Sequence, residues 1–191
     1  MDSAHPLCTA DRVKSFCTAP PAEFIEVAEE LRSIGGAIQG FRALLDTFRT
    51  LPHQLIHGDI NHSNSLVSGA DSNRLAAILD FEFCTWDLRV MEIAVMISGF
   101  LNGNDVMAKI ELFLRGAGEQ LSLDRAEIEA IPSLVRLRNL DVFLHFLGRY
   151  WDGVDDLSVL LEQTRSVHEG LSELKRVEER LSELSFRYLM P

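Results

Sequence analysis

Cysteine is scarce in this 191-residue chain: Cys8, Cys17 and Cys84 are the only three, and none stands in a C-x-x-C pair. An odd count without that spacing argues against a disulfide framework and a zinc ribbon, and points to a reducing, cytoplasmic setting. Basic side chains are few as well, 18 Lys and Arg against 29 Asp and Glu, for a formal net charge of −11. That balance gives no broad attraction for nucleic acid or anionic membrane, so any phosphate the chain handles must be held locally. No stretch approaches the ~18 uninterrupted apolar residues of a membrane span, and the opening MDSAHPLCTADRVKSF has no basic region followed by an apolar run. The expectation is no nucleic-acid partner, no membrane and no secretion signal. Gly-rich phosphate loops are missing too. SIGGAIQGFR spaces Gly35 and Gly40 like a P-loop, but Phe41 and Arg42 stand where that loop has a lysine and a hydroxyl. GAG at residues 116–118 lacks the third glycine and preceding strand of a dinucleotide fingerprint. The first reads as a helix kink or split at Gly35 and Gly36, the second as a helix end.

What is present is a hydrophobic content of 47%, enough for the core of one ordinary domain. Residues 1–22 mix small, polar and proline residues and read as an irregular lead-in with room for one short helix; residues 23–191 read as the domain. From Phe24 onward, Val27, Leu31, Ile34, Ile38 and Phe41 recur at three- and four-residue steps, the pattern of a long helix with one buried face. Three short apolar runs follow, QLIH, NSLV and LAAILDF, and predict a small hairpin or sheet with a polar cluster at its mouth. Helical periodicity then returns over residues 88–101, 106–115, 133–151 with Pro132 near the start, and 157–189. The expected fold class is α+β, mainly α-helical, with a small β element. The last helix carries Val167, Leu171, Leu174, Leu181 and Leu184 on one stripe, which suits a homodimer seam or, more commonly, packing on its own domain.

The polar cluster is HGDINHSN, residues 57–64, in which Asp59 leads Asn64 by five positions. Phosphoryl transfer to a hydroxyl needs the acceptor positioned and the phosphate charge neutralised by a metal held on carboxylate and amide oxygens. Asp80 supplies a second carboxylate at the end of LAAILD, where a buried strand end would make an unreceived charge costly; a metal is the economical reason for it. Taken singly, Asp59 suits an Asx turn and Asn64 a strand-start cap. His53, His57 and His62 with Asp59 offer a hydrolytic metal centre, but no upstream D-x-H or downstream G-N-H accompanies them.

The order of loop aspartate, asparagine and following strand aspartate is that of protein kinases. With Gly58 in place of the kinase arginine, HGDINHSN resembles the H-G-D-x-x-x-x-N loop of the aminoglycoside phosphotransferase (APH)/choline kinase-like family, and LDFEF resembles its D-F-E segment. Glu92-Ile93-Ala94, twelve residues after Asp80, stands where that family often has D-L-A, with glutamate for aspartate. The resemblance covers residues 24–149, and LSLDRAEIEAIPSLVRLRNLDVFLHF is similar to the homoserine-kinase-like branch, which phosphorylates small alcohols or amino alcohols. It implies the large (C-terminal) lobe of a protein-kinase-like fold, ATP and Mg2+ as cofactors, and a small-molecule hydroxyl substrate. By the same resemblance Asp59 is the catalytic base, Asn64 and Asp80 are the metal ligands, and His57 and Gly58 shape the loop. Glu92 is expected to accept hydrogen bonds from the loop backbone. Glu82 is read on the same strand face as Asp80, either beside the metal or in solvent. Asp87 is read as a surface or helix-cap residue. Arg136 and Arg138 flank Leu137 and so lie on different helix faces; one could grip a substrate carboxylate, though surface charge is the commoner use. Nucleotide-binding residues cannot be assigned from the pattern.

A kinase of this kind also needs a small sheet whose glycine-rich strands and lysine cover the phosphates. Five strands, their connections and a helix take roughly 60 residues or more. Only 56 residues precede His57, and the helical pattern claims about half of them, so that lobe is expected to be missing from this chain. A truncated gene product, a fragment and a shortened relative are the three readings of that shortfall. The expected function is therefore ATP/Mg-dependent phosphotransfer to a small hydroxyl compound; the alternative is a non-catalytic binding or interaction module that keeps the lobe and dimerises through an exposed apolar face.

Overall fold

Helical periodicity dominates the sequence, and helices build most of the molecule. The computed structural model describes residues 10–71 and 74–191. In chain order these form α1 (Ala10–Thr18), a 3-10 segment (Ala22–Val27), α2 (Ala28–Arg42), α3 (Leu45–Phe48), β1 (His53–Ile56), β2 (Ser65–Val67) and β3 (Leu75–Ile78). A 3-10 turn (Phe81–Phe83), β4 (Thr85–Leu88), α4 (Met91–Ser98), α5 (Val106–Gly118), α6 (Arg125–Trp151) and α7 (Leu157–Leu189) complete the order. The fold is α+β and mainly helical. Residues 1–9 of the expected lead-in, Cys8 among them, lie outside the described residues; residues 10–18 form α1, whose Val13, Phe16 and Cys17 are buried.

Two apolar cores share the long helices α6 and α7. One joins α4 and α5 to the first half of α6 and the second half of α7 through Ile97, Ile110, Leu114, Ile131, Leu134 and Leu181. The other joins α1 and α2 to the opposite halves through Phe24, Leu31, Ile34, Phe143, Leu147 and Leu160. The exchange of halves makes α6 and α7 antiparallel. The α7 stripe is thereby spent within its own domain: Val167, Leu174, Leu181 and Leu184 are all buried. Burial also pushes the Cys17 thiol up to about 12, far from the thiolate that would make it reactive.

Several local expectations change. Gly35 does not kink a helix. It lies inside continuous α2, where a Cβ would stand 2.7 Å from Cys17 Cβ, so its bareness lets α1 approach. The helix expected over residues 133–151 begins at Arg125, eight residues before the expected start at Ser133, with Pro132 in its interior. Its start is a reciprocal capping box: Glu127 N–H donates to Asp124 Oδ1 at 2.9 Å, and Asp124 N–H donates to Glu127 Oε2 at 3.0 Å. The β element is two separate antiparallel ribbons rather than one. β2 pairs with β3, with an irregularity between Leu66 and Val67, while β1 pairs with β4 from His53↔Leu88 to Ile56↔Thr85. Asp87 therefore lies in a strand opposite Gln54, exposed as its surface reading has it, with Oδ1 accepting from Leu88 N–H at 2.7 Å, and caps no helix. No helix among the described residues is long and apolar enough to cross a membrane.

Arg89, just past β4, ties the ribbon to α6. Its Nε and Nη2 each donate to the Glu127 carboxylate at 2.6 Å, and Glu127 is fully buried. A bidentate partner offsets the desolvation of that carboxylate, and removing it strands the charge. Arg89→Met is expected to cost roughly 3 kcal/mol of stability, measured by urea denaturation, whereas replacing the exposed Arg49 by Met leaves the midpoint nearly unchanged.

Candidate active site

The loop between β1 and β2 is shaped by a glycine that no other residue can replace. Gly58 has φ +79°, and a Cβ there would lie 2.8 Å from the Phe83 carbonyl oxygen. Left-handed backbone and close approach together require the missing side chain. The loop thus lies against the Phe81–Phe83 turn, although 25 residues separate Gly58 from Phe83.

His57 is buried and braces both segments. Its Nε2 lies 2.9 Å from the Leu79 carbonyl oxygen, and its Nδ1 accepts from Asp59 N–H at 3.3 Å, an arrangement that suits a neutral ring with the proton on Nε2. The ring also packs on Phe81, centroid to centroid 4.7 Å. His57 N–H donates to Glu92 Oε2 at 2.6 Å, so α4 holds the loop from behind. Glu92 Oε1 is buried without a hydrogen-bond partner among the described residues.

Asp59 is held at both oxygens. Oδ2 accepts from Asn64 Nδ2 at 2.9 Å and from Asn61 Nδ2 at 3.3 Å; Oδ1 accepts from Arg138 Nη2 at 2.6 Å. Asn64 Nδ2 also donates to the Asp59 carbonyl at 3.0 Å. Asn61 makes the loop's tight turn, its Oδ1 accepting from Ser63 N–H at 2.9 Å and Asn64 N–H at 3.1 Å. The Asx turn thus belongs to Asn61, not Asp59.

Asp80 reaches this group through one neighbour. Leu79 N–H donates to the Asn64 carbonyl at 2.8 Å, while the Leu79 carbonyl is the one facing His57. The structure does not place Asp80 at a buried strand end: β3 stops at Ile78, and Asp80 is exposed in left-handed backbone at φ 64°. Its carboxylate makes no hydrogen bond among the described residues. That conformation is uncommon for a non-glycine residue and costs roughly 1–3 kcal/mol. Glu82 is not on a strand face with Asp80 either, because the chain turns into the 3-10 segment; it is exposed. His53 and His62 are both exposed, and no cluster of three His, Cys, Asp or Glu suited to a metal forms among the described residues.

The sequence reads Arg138 as a surface charge or, with Arg136, as a candidate grip on a substrate carboxylate. It is not a surface residue: its side chain is 21% exposed, that of Asp59 19%, and the two are paired across 79 residues of sequence. Arg136 turns the other way, to Glu178 at 3.3 Å. Beside Asp59 and Arg138 lies a cavity of about 200 Å³, whose polar wall is Ser98, Asn102, Asn139 and Ser166. Gly170 keeps α7 close there, since a Cβ would stand 2.7 Å from Asn139 Oδ1 and 3.2 Å from Asn102 Oδ1. A larger cavity of about 730 Å³, around residues 101–108 and α7, contains none of the loop residues and adjoins the smaller one at Asn102, which lines both.

Loop aspartate, asparagine and post-strand aspartate are thus carried on a mainly helical lobe. The model of the APH phosphotransferase enzyme family matches residues 19–131, more than half of the chain, and the chain belongs to that family. Among solved structures, that of the microcompartment-associated aminopropanol kinase is similar, with 18% identity and a TM-score of 0.65. The match covers 95% of this chain and 54% of that one, so the chain spans about half the length of that kinase. At that identity the likeness speaks for the fold. Comparison with curated proteins gives no significant match.

The brace makes a separable prediction. His57→Ala leaves the Leu79 carbonyl and Asp59 amide without their partner and is expected to lower stability by about 1–3 kcal/mol in chemical denaturation. Glu82→Gln, at an exposed position, is expected to leave stability within about 0.5 kcal/mol.

Proposed function

We propose that this chain carries the acceptor-binding and metal-binding half of an ATP- and magnesium-dependent kinase of small hydroxyl compounds. One observation carries the reading: Asp59 faces a small polar cavity on one side and is joined on the other, through Asn64, His57 and Leu79, to Asp80. The cavity lies below the roughly 300–1,000 Å³ of drug-sized sites and suits an acceptor of few heavy atoms. Its hydroxyl would lose its proton to Asp59 as the oxygen forms a bond to the γ-phosphorus and the bond to the β,γ-bridging oxygen breaks, releasing ADP.

The residues present suit magnesium. Asn64 spends its Nδ2 on Asp59, leaving Oδ1 without a hydrogen bond among the described residues, and the Asp80 carboxylate is likewise uncommitted. One amide and one carboxylate oxygen form a hard, incomplete donor set, which Mg2+ commonly completes with water and substrate phosphates. The ion would supply charge neutralisation for the phosphates, which a chain of net charge −11 with few nearby cations does not offer.

Exposed Leu66 and Leu79 flank these two residues in sequence and offer an apolar rest for a base. Leu55 and Trp86, cross-strand partners 65% and 71% exposed, extend the apolar face. On that face we place the nucleotide-covering lobe that a kinase of this kind requires.

Mg2+ with ATP is expected to raise the melting temperature of this chain, and Asp80→Asn to abolish the rise; no rise in the unaltered protein would overturn the nucleotide site. Transfer to a panel of small alcohols is the second measurement. Asp59→Asn is expected to keep the melting response while lowering any transfer about 10²–10⁴-fold.

A further inference from the structure

We propose that Asn102, held by Ser166, is the length stop of the acceptor cavity and so decides how long an alcohol the site accepts. This rests on the reading of the cavity beside Asp59 as the acceptor site. That cavity and the larger one of about 730 Å³ meet at Asn102, which lines both. On α7 the boundary falls between Ser166, in the wall of the smaller cavity, and Glu169, in the wall of the larger. The Asn102 side chain lies at that boundary. Its Nδ2 donates to Ser166 Oγ at 2.8 Å, and its Oδ1 lies 3.2 Å from where a Cβ of Gly170 would stand. One amide thus rests against two successive turns of α7, with the acceptor space on one side and the larger cavity on the other.

Packing sets the backbone of the stop, and one hydrogen bond sets the stop itself. Leu101, the preceding residue, is buried in the core, whereas Asn102 is exposed. A hydrogen bond between neutral side chains is worth little in net terms, so an acceptor that must part Asn102 from Ser166 is disfavoured about tenfold rather than excluded outright. Beyond the stop the lining changes character. The carboxylates of Asp105 and Glu169 make no hydrogen bond among the described residues, and that of Glu173 is paired with Arg176. On the near side, Asn139 spends Nδ2 on the Val135 carbonyl at 3.0 Å and keeps its amide oxygen uncommitted among the described residues. An alcohol with an ammonium group at its far end therefore reports how far it reaches: neutral amide oxygens face it before the stop, and carboxylates after.

The test is binding of straight-chain amino alcohols, from aminoethanol to aminohexanol, to the full chain by calorimetry or chemical-shift titration. In the unaltered protein, affinity is expected to fall about tenfold from the short to the long members. Asn102→Ala is expected to raise the long-to-short affinity ratio about tenfold. Ser166→Ala should move the ratio the same way, since it frees Asn102 without removing it. The melting temperature reports whether each variant is folded, and either one decides if the other does not fold. A flat or rising length profile in the unaltered protein overturns the proposal. So does an unchanged ratio in the folded variants, which is what a merely structural staple between the segment and α7 would give. Binding of the short members with either of those results sinks the length stop alone; no binding of any member at millimolar concentration overturns the acceptor reading and the stop with it.

Discussion

Everything at the site depends on the two ring nitrogens of His57. One faces the Leu79 carbonyl and the other accepts the Asp59 amide, so a single buried imidazole sets the distance between a loop and a strand end that the chain joins only through a hairpin. Without it, the loop and the segment after β3 would lose the one side chain that bonds to both. The brace is itself braced, because Glu92 on α4 accepts the His57 amide proton and transmits the position of the helical core to the loop. Packing thus fixes polar geometry here through a short series of hydrogen bonds.

Negative charge is concentrated at this place in an already acidic chain, and it is managed by unequal means. Among the described residues Asp59 receives two neutral amides and one guanidinium; Glu92 receives one backbone N–H and keeps an oxygen buried and unpartnered; Asp80 receives nothing and stays in solvent. Asp59 and Asp80 follow the cost of dehydrating a carboxylate, the half-buried one partnered and the exposed one not, while Glu92 Oε1 departs from it. Asp80 alone of the three leaves its carboxylate to solvent.

The loop motif was legible because its chemistry is local: Asp59, Asn61 and Asn64 satisfy one another within six residues, and Gly58 announces its own backbone. Long helices were legible through periodicity, α7 from end to end. What escaped was set by distant partners. Thr85–Leu88 carries one inward residue and no strand-length alternation of apolar side chains, so pairing with β1, not intrinsic pattern, makes it a strand. LAAI looked like a buried strand, yet its small two-stranded ribbon has no second layer to cover it. Pro132 hid the true start of α6, although D-R-A-E at residues 124–127 spells the capping box that sets it. Arg138 could not be assigned to Asp59 from spacing at all, since only the docking of α6 brings them together.

The cavity beside Asp59 has a divided origin. Its polar wall comes from α4, the following Asn102, α6 and α7, elements held by the two apolar cores, while its reactive edge comes from the loop. The two contributions meet in few residues, with Arg138 and Asp59 at the junction. Shape and chemistry are therefore written in different parts of the chain. A Cβ at Gly170 would push on the Asn139 and Asn102 side chains of the wall without touching a loop residue. A lobe so divided can change the shape of its cavity while keeping the loop beside it.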